Sequence, residues 1–347
     1  MSARIYLDHA ASTPVVPAAR AAMAEAMARW ANPSSPHAEG RAARAALEDA
    51  RGRIKRALGW AHELIFTSGA SEAALLALSH ATLRNQAVSA VEHDAIRRAA
   101  HQPAVIGVDA AGLVDLDHLP EAALVAVQTV NSETGVIQPV EAIASAIGDR
   151  RGLWLADAAQ SAGKLPLPDA DMIIISSHKL GGPPGIGALL IKDLSVLVPD
   201  GGQEKGYRGG TENLPAAMGF AAAIEGRGQR DRLASLRARL DDGVSSSGGI
   251  VVAAASARLP EIASYRLPGV AAAAQLITLD LAGIAVSAGS ACSSGTLKAS
   301  PVLLAMGWDE VAAREVIRVS LAPETTEAEV ERFLEVFATI AERRRAA

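Results

Sequence analysis

Four groups of polar residues follow apolar, β-rich runs in this 347-residue sequence. They are Ser68-Gly69-Ala70-Ser71-Glu72 after ELIFT, Glu92-His93 after SAV, Asp157-Ala158-Ala159-Gln160 after LWLA, and Ser176-Ser177-His178-Lys179 after MIII. In open α/β sheets, ligands bind outside the carboxyl ends of the strands. We therefore expect the four groups to meet in one site.

Lys179 has the features of a lysine that forms a Schiff base. It follows a buried strand and precedes the loop GGPPG, so its amine is expected to be desolvated, which lowers the amine pKa and favours attack on an aldehyde. A lysine extending from a loop into solvent is the commoner case and stays open on this residue alone. Ser176, His178 and the helix-opening turn at Ser71 supply phosphate donors. The set predicts a phosphorylated aldehyde cofactor.

Asp157 suits the other end of such a cofactor. A pyridine ring works as an electron sink only while its nitrogen is protonated, and a nearby carboxylate holds that proton. At about 4 Å and an effective dielectric near 20, the attraction between the carboxylate and the protonated nitrogen is about 4 kcal/mol. This energy corresponds to an increase of about three units in the pKa of the nitrogen. The alternative is a helix N-cap. Gln160 is a candidate donor to the phenolic oxygen, and His93 is either an acid/base or stacking residue or a locally bonded histidine.

Arg318 and Thr211 are candidates for binding anions. Arg318 interrupts the apolar strand EVIRVSL and suits a bidentate carboxylate, such as that of an amino acid, although an ion pair with Glu315 is equally compatible with the sequence. Thr211 lies in the glycine-rich stretch 201–213, which is either a phosphate cradle or a mobile surface loop.

Cys292 is the only cysteine in the chain and lies in SAGSACSSGT, residues 287–296. A single cysteine forms no intramolecular disulfide, and its neighbours offer no zinc-ligand spacing. Small buried filler is the usual role of such a residue. The serine and glycine composition is instead typical of a loop, so we interpret Cys292 as a nucleophile that a loop brings to a substrate.

The elements that must position these residues alternate along the first two thirds of the chain. Short apolar runs and helical periods there indicate crossover helices over a mostly parallel sheet, and the uninterrupted run DMIIIS indicates a strand covered on both faces. After about residue 213 short strands mix with helices. We predict an α/β fold with a large domain, residues 14–228, and a smaller α+β domain of residues 1–13 and 229–347 that carries the cysteine loop.

Composition excludes several classes of function. Half of the residues are hydrophobic and 20% are charged, which favours a large core over disorder. The net charge of −5, with both signs interspersed, provides no basic stripe for nucleic acid or membrane. No signal peptide or membrane-length apolar run is found. With a single cysteine, we expect a cytoplasmic protein that acts on small molecules.

Ten motifs resemble, in order, those of the cysteine desulfurases of the NifS and IscS type. They are YLDHAASTP, NPSSPHAEGR, TSGASE, EHDA, VNSETGVIQP, DAAQSAGKLP, SSHKLGGPPGIGAL, GGQEKGYRGGTENLP, GSACSSGTL and IRVSLAPETTEAEV. The resemblance spans nearly the whole chain. It implies a pyridoxal 5'-phosphate enzyme of the class V aminotransferase group with the fold-type I architecture.

The resemblance also implies a role for each candidate residue. Lys179 would bind the cofactor aldehyde, Asp157 the pyridine nitrogen and Gln160 the phenolic oxygen, while His93 would stack on the ring and move protons. The phosphate would be held by Ala70, Ser71, Ser176 and His178, with Thr211 reaching in from the other subunit of a homodimer. Arg318 would bind the carboxylate of L-cysteine, and Cys292 would receive the sulfur as a persulfide, leaving L-alanine.

Some features depart from the family pattern or leave alternatives. Ser132 replaces the second asparagine of VNNETG, so a contact to cofactor or substrate is expected to be shortened or bridged by water.

Alternative functions are selenocysteine lyase, another class V reaction, or an inactive scaffold. Iron–sulfur scaffolds, tRNA thiolation proteins and molybdenum cofactor proteins are the sulfur acceptors that the resemblance implies. We expect no metal ion.

Overall fold

The computed structural model describes residues 4–28, 30–226, 230–288 and 298–346. The strands in this part of the chain are β1 (Ile5–Tyr6), β2 (Glu63–Thr67), β3 (Gln86–Ser89), β4 (Ala104–Ile106), β5 (Leu124–Ala126), β6 (Leu153–Asp157), β7 (Met172–Ser176), β8 (Gly187–Ile191), β9 (Ile250–Val251), β10 (Ile262–Arg266), β11 (Ile284–Ala285), β12 (Ser287–Ala288) and β13 (Val316–Ser320). The helices are α1 (Pro17–Met27), α2 (Ala38–Leu58), α3 (Ala70–Ser79), α4 (Asp94–Ala99), α5 (Val140–Asp149), α6 (Leu214–Glu225), α7 (Leu233–Ser246), α8 (Ala272–Leu281), α9 (Pro301–Ala305), α10 (Glu310–Ala313) and α11 (Glu327–Ala346). Within the described ranges, no helix combines the length and apolarity needed to cross a membrane.

A seven-stranded sheet forms the larger part of the fold, in the order β2-β8-β7-β6-β5-β3-β4. Strands β7, β6, β5, β3 and β4 run parallel to one another, whereas β8 is antiparallel to both β2 and β7. All residues of β7 and β8 are buried, as expected for strands covered on both faces. The predicted α/β fold, with a mostly parallel mixed sheet flanked by helices, is confirmed.

Both faces of this sheet are packed by apolar side chains. Because successive strand residues point to opposite faces, Ile173 and Ile175 of β7 join the apolar cluster that includes residues of α1, α2 and α6. Met172 and Ile174 join the cluster on the opposite face, beneath α3 and α4. The two clusters fix β7, and therefore the position of the residues that follow it.

A second, antiparallel sheet in the order β12-β13-β10-β9 packs with α7, α8 and α11 around a separate apolar cluster. The start of the chain joins this part, since Leu7 lies in the same cluster and β1 pairs with β11. This grouping resembles the smaller domain expected from the sequence. The division at residues 13 and 228 stays a prediction.

A buried ion pair fixes the glycine-rich stretch 201–213 to the large sheet. Arg51 Nη1 and Nη2 of α2 donate to Glu204 Oε2 and Oε1 at 2.7 and 2.9 Å, and the two side chains are 6% and 1% exposed. Glu204 Oε2 also accepts the Phe66 N–H at 2.8 Å, and the Arg51 guanidinium lies 4.7 Å from the centre of the Phe66 ring. Each charge is therefore compensated inside the protein.

Glu204→Gln is expected to lower the free energy of unfolding by about 3 kcal/mol, because it removes the buried partner of Arg51 and leaves its charge paired only with the partly exposed Glu48. Urea unfolding followed by circular dichroism measures the change. Glu225→Gln is the matched control, since Glu225 pairs with Arg53 at the surface and such pairs contribute at most about 1 kcal/mol. Equal losses in the two variants would contradict the importance of the buried pair.

Candidate active site

The carboxyl ends of β2, β3, β6 and β7 open into one cavity of about 1030 Å³. The residues singled out from the sequence that line it are Ala70, Ser71, His93, Ser132, Asp157, Gln160, Ser176, His178, Lys179 and Arg318. Thr211 is exposed and does not line this cavity. Cys292 lies outside the described residues. The structure thus brings together side chains from both sheets.

Lys179 ends the short 3-10 turn that follows β7. Its Nζ donates to the carbonyl oxygens of Ala10 and Ala11 at 2.5 and 2.9 Å. Burial lowers the pKa of Lys179 to about 8, helped by the positive charges of Arg318 and Lys164. The desolvation expected from the sequence is present, so a larger fraction of the amine is neutral at physiological pH than for an exposed lysine.

Asp157 lies at the end of β6, on the strand beside β7. Its Oδ1 accepts the Ala159 N–H at 2.9 Å, which is the local capping bond considered as an alternative, although a turn rather than a helix follows. Its Oδ2 has no hydrogen-bond donor among the described residues. Burial raises the pKa of Asp157, while the Ala159 N–H, His93 and Lys179 oppose that increase. One carboxyl oxygen is therefore free for a further partner.

Glu92 is a second carboxyl in the cavity that received no role from the sequence. Its Oε1 accepts the Gln128 N–H at 2.8 Å and its Oε2 is buried without a partner. Burial, and then the neighbouring Asp157, raise the pKa of Glu92 well above its usual value. Two carboxyls close together in a low dielectric do not ionise independently. Of the two carboxyls, Glu92 is therefore the one whose surroundings favour the protonated form more strongly.

One end of the cavity has the donors that a phosphate requires. Gly69, with φ of 155°, leads directly into α3, whose first residues are Ala70 and Ser71. A Cβ at Gly187 would lie 2.9 Å from the Gly69 backbone, so the close approach of β8 to this turn requires glycine. His178 Nδ1 lies 3.3 Å from Ser12 Oγ. Burial and the charge of Lys179 lower the pKa of His178 to about 4, so its imidazole is neutral.

His93 and Gln160 also have local hydrogen-bond partners. His93 caps α4, with Nδ1 accepting the Ala95 N–H at 3.1 Å. This bond assigns the ring proton to Nε2 when the imidazole is neutral. Gln160 Nε2 donates to Ala10 O at 2.9 Å, and its Oε1 is buried without a partner among the residues that the structure describes. Because an amide nitrogen carries two N–H donors, one N–H of Gln160 stays available for a second acceptor such as a phenolic oxygen.

Arg318, on β13, is paired with Asp8 rather than with Glu315. Its Nη2 donates to Asp8 Oδ1 at 2.9 Å and its Nη1 donates to the Ser132 carbonyl oxygen at 3.0 Å. Its Nε is buried and has no hydrogen-bond partner within the described ranges. Glu315 instead accepts from Arg266 at 2.7 Å. The Glu315 alternative is wrong, because Arg266 on β10 lies opposite the end of β13. Asp8 was missed, and its place in the motif YLDHAASTP was the available signal.

The segment that bears Cys292 is flanked by residues at the cavity. Ala288 on its N-terminal side and Lys298 on its C-terminal side both line the cavity. Ser300 follows, and its hydroxyl donates to the buried Glu133 Oε2 at 2.5 Å while capping α9. The described residues on either side of segment 289–297 therefore lie at the same cavity as the candidate site residues.

Comparisons with known proteins show which family this sequence resembles over its length. The sequence matches the family described as aminotransferase class-V over residues 5–333. A cysteine desulfurase of Gluconacetobacter diazotrophicus is 38% identical over 96% of this chain and 92% of that protein. Cysteine desulfurase IscS 1 of Archaeoglobus fulgidus is 36% identical over 98% of this chain and 97% of that protein.

Solved structures show the same relationship. The NifS-like protein of Rickettsia africae superposes with a TM-score of 0.85 at 30% identity, covering 98% of this chain and 99% of that chain. The structure titled SspA in complex with cysteine matches with a TM-score of 0.79 at 28% identity, over 93% of this chain and all of that one. Similarity of sequence and of fold extends over both sheets, and on these grounds the chain belongs to the class V aminotransferase family, among its cysteine desulfurases.

Proposed function

We propose that the protein is a pyridoxal 5'-phosphate-dependent cysteine desulfurase, which converts L-cysteine to L-alanine and transfers the sulfur to Cys292. The observation that carries the proposal is the presence, in one cavity, of the desolvated Lys179 amine, the Asp157 carboxyl at the end of the neighbouring strand, and the buried Arg318 guanidinium with a free Nε. The Lys179 amine suits the aldehyde of the cofactor and the Asp157 carboxyl suits its pyridine nitrogen. The Arg318 guanidinium suits the carboxylate of an amino-acid substrate.

The residues present fit this cofactor, which the family uses. The first turn of α3, Ser176 and the neutral His178 offer donors to a phosphate at one end of the cavity. Asp157 Oδ2, free of other donors among the described residues, would accept a hydrogen bond from the protonated pyridine nitrogen and so keep that nitrogen protonated. His93 would stack on the ring, and the Gln160 amide would lie at its phenolic oxygen. When bound, pyridoxal phosphate supplies an electron sink for negative charge on the substrate Cα.

Each side chain in the cavity would then have its own role in the reaction. Lys179 must leave the carbonyls of Ala10 and Ala11 to bind the aldehyde, and its released amine would carry the Cα proton. Arg318 would orient the substrate through its carboxylate, with Asp8 holding the guanidinium in place. His93 would serve as the base that activates the thiol of Cys292.

The transfer of sulfur requires only one thiol from the protein, that of Cys292. The Cys292 thiolate attacks the substrate sulfur, so that a sulfur–sulfur bond forms while the bond from Cβ to sulfur breaks. The electron pair of the broken bond goes to Cβ, which takes up a proton. The products are L-alanine and a persulfide on Cys292.

The assembly and cellular context are also proposals. Thr211 is exposed and does not line the cavity of its own chain, which supports a homodimer in which Thr211 reaches the phosphate of the other copy. The persulfide would be delivered to acceptor proteins in the cytoplasm, such as an iron–sulfur scaffold or the tRNA thiolation and molybdenum cofactor proteins.

Lys179→Ala is expected to remove the visible absorbance of the bound cofactor that borohydride abolishes, and to lower alanine formation by about 10²- to 10⁴-fold, because the amine that binds the aldehyde and moves the proton is lost. Absorbance spectroscopy and an alanine assay measure both effects. Lys192→Ala is the control, since Lys192 pairs with Asp169 away from the cavity. An unchanged spectrum in Lys179→Ala would refute the cofactor assignment.

Cys292→Ala is expected to keep the cofactor spectrum but to reduce alanine and sulfide release from L-cysteine by at least about 100-fold, because the nucleophile that accepts the sulfur is missing. Ser294→Ala controls for a general effect of substitution in the same segment. Equal rates for wild type and Cys292→Ala would rule out the persulfide role. They would leave another class V reaction as the explanation.

Arg318→Lys is expected to raise KM for L-cysteine about 10- to 100-fold, because a single ammonium replaces a bidentate guanidinium. Turnover of cysteamine, which lacks the carboxylate, should change little. Arg266→Lys, on the adjacent strand and paired with Glu315, is the matched control. A parallel loss with both substrates would show that Arg318 does not act through the carboxylate.

A further inference from the structure

A second cavity, of about 70 Å³, lies on the other side of Lys179. We call it the rear cavity. Lys179 and Ala10 line both cavities. The rear cavity is further lined by His9 from the start of the chain, by Lys164 from the segment after β6, and by Glu261 at the start of β10. Both parts of the fold therefore contribute polar side chains behind the reactive amine.

Three polar groups lining the rear cavity lack partners among the residues that the structure describes. The Nδ1 of His9 and the Oε2 of Glu261 are buried with no hydrogen bond. The Nζ of Lys164 has no acceptor within hydrogen-bonding distance in the described ranges. Arg230, in contrast, is held by the Glu261 carboxylate and by the carbonyl oxygen of Lys164.

The rear cavity has room for water that would bridge these groups. A water molecule needs about 10 to 15 Å³ of such space and two to four polar partners, and the rear cavity satisfies both conditions. Bridging waters would link the Lys164 ammonium to Glu261 Oε2 and His9 Nδ1. The ammonium therefore stays in the cavity with its charge only partly compensated, since Glu261 already pairs with Arg230.

The charges around Lys179 come from both sides. In the large cavity Asp157 and Asp8 favour its protonated form, whereas Arg318 disfavours it. On the rear side Lys164 disfavours the protonated form. Burial lowers the pKa of Lys164 itself to about 8; Glu261 opposes this decrease and Arg230 adds to it. The two amines therefore titrate over the same pH range, so their protonation is coupled.

The remaining ionisable groups near the rear cavity are distributed as follows. His9 is neutral, because burial lowers its pKa, and His178 is neutral for the same reason. Arg230 and Glu261 form an ion pair with no net charge. Glu324 is exposed at the edge of the cavity. Lys164 is thus the group on this side whose charge acts on Lys179 without a direct ion-pair partner in the described structure.

We propose that Lys164 is a positioning residue for the reaction: its ammonium in the rear cavity shifts the amine of Lys179 towards its neutral, nucleophilic form. The proposal rests on the proposed function, in which Lys179 binds the aldehyde. The charge relation between the two lysines is, however, a property of the chain before any cofactor binds, so it is tested separately.

The test follows the acetylation of Lys179 in the full-length, cofactor-free protein with limiting acetic anhydride, across neutral and alkaline pH. Peptide mass spectrometry gives the initial rate at each pH, and the midpoint reports the ionisation of Lys179. Lys164→Met removes the charge but keeps the length, so the midpoint should rise by about half to one pH unit. The transition should also become narrower, because a single amine titrates.

Lys164→Arg is the matched control, because arginine remains charged throughout this range. Its midpoint should stay at or below that of the wild type. Lys192→Met controls for loss of a distant lysine. A midpoint that is unchanged in Lys164→Met, or that rises equally in Lys164→Arg, would overturn the proposal.

Glu261→Gln provides a second variant if Lys164→Met does not fold. Loss of the carboxylate strengthens the positive field of Lys164 and Arg230, so the Lys179 midpoint should fall. A rise would overturn the proposal. The acetylation titration uses no L-cysteine and is therefore independent of the desulfurase assay. A protein that shows the shifted midpoints but releases no sulfide from L-cysteine in that separate assay would refute the proposed function. The relation between the two lysines would still hold.

Discussion

The constraint on which the site depends is the desolvation of an amine beside a carboxyl at the ends of two adjacent parallel strands. β6 and β7 pair in a register that aligns Asp157 of β6 with Ile174 of β7. Lys179 is the last residue of the short turn that directly follows β7. Apolar clusters hold both strands from either face. Burial shifts the pKa of the amine downwards and that of the carboxyl upwards, which brings both groups towards the range in which protons are exchanged.

The start of the chain completes the site and links the two sheets. Leu7 belongs to the core of the smaller part, and the Ala10 N–H donates to Ser320 Oγ on β13. Beside them, the carbonyl oxygens of Ala10 and Ala11 accept from Lys179, and Asp8 pairs with Arg318. The amine and the guanidinium are therefore both bonded to residues of the short segment 8–11, which links the two sheets at the cavity.

In the part of the chain that the structure describes, five of the ten buried side-chain polar atoms without a hydrogen-bond partner line the two cavities. Glu92 Oε2, Gln160 Oε1 and Arg318 Nε line the large cavity, and His9 Nδ1 and Glu261 Oε2 line the rear one. Buried polar atoms without partners are costly and therefore uncommon in native proteins. Their grouping is consistent with a site whose hydrogen bonds are completed by ligand and water, and departures from full pairing are expected at functional sites.

The sequence by itself determined the sheet and the residues at its strand ends, including Lys179 and Asp157, because an apolar run and the polar residues that stop it are local features. Only the tertiary structure decided which distant groups meet there. It paired Arg318 with Asp8 instead of Glu315, and it placed Lys164 behind Lys179. These contacts depend on strand register and on packing between the two sheets, which join residues far apart in the chain and leave no periodic signal in the sequence.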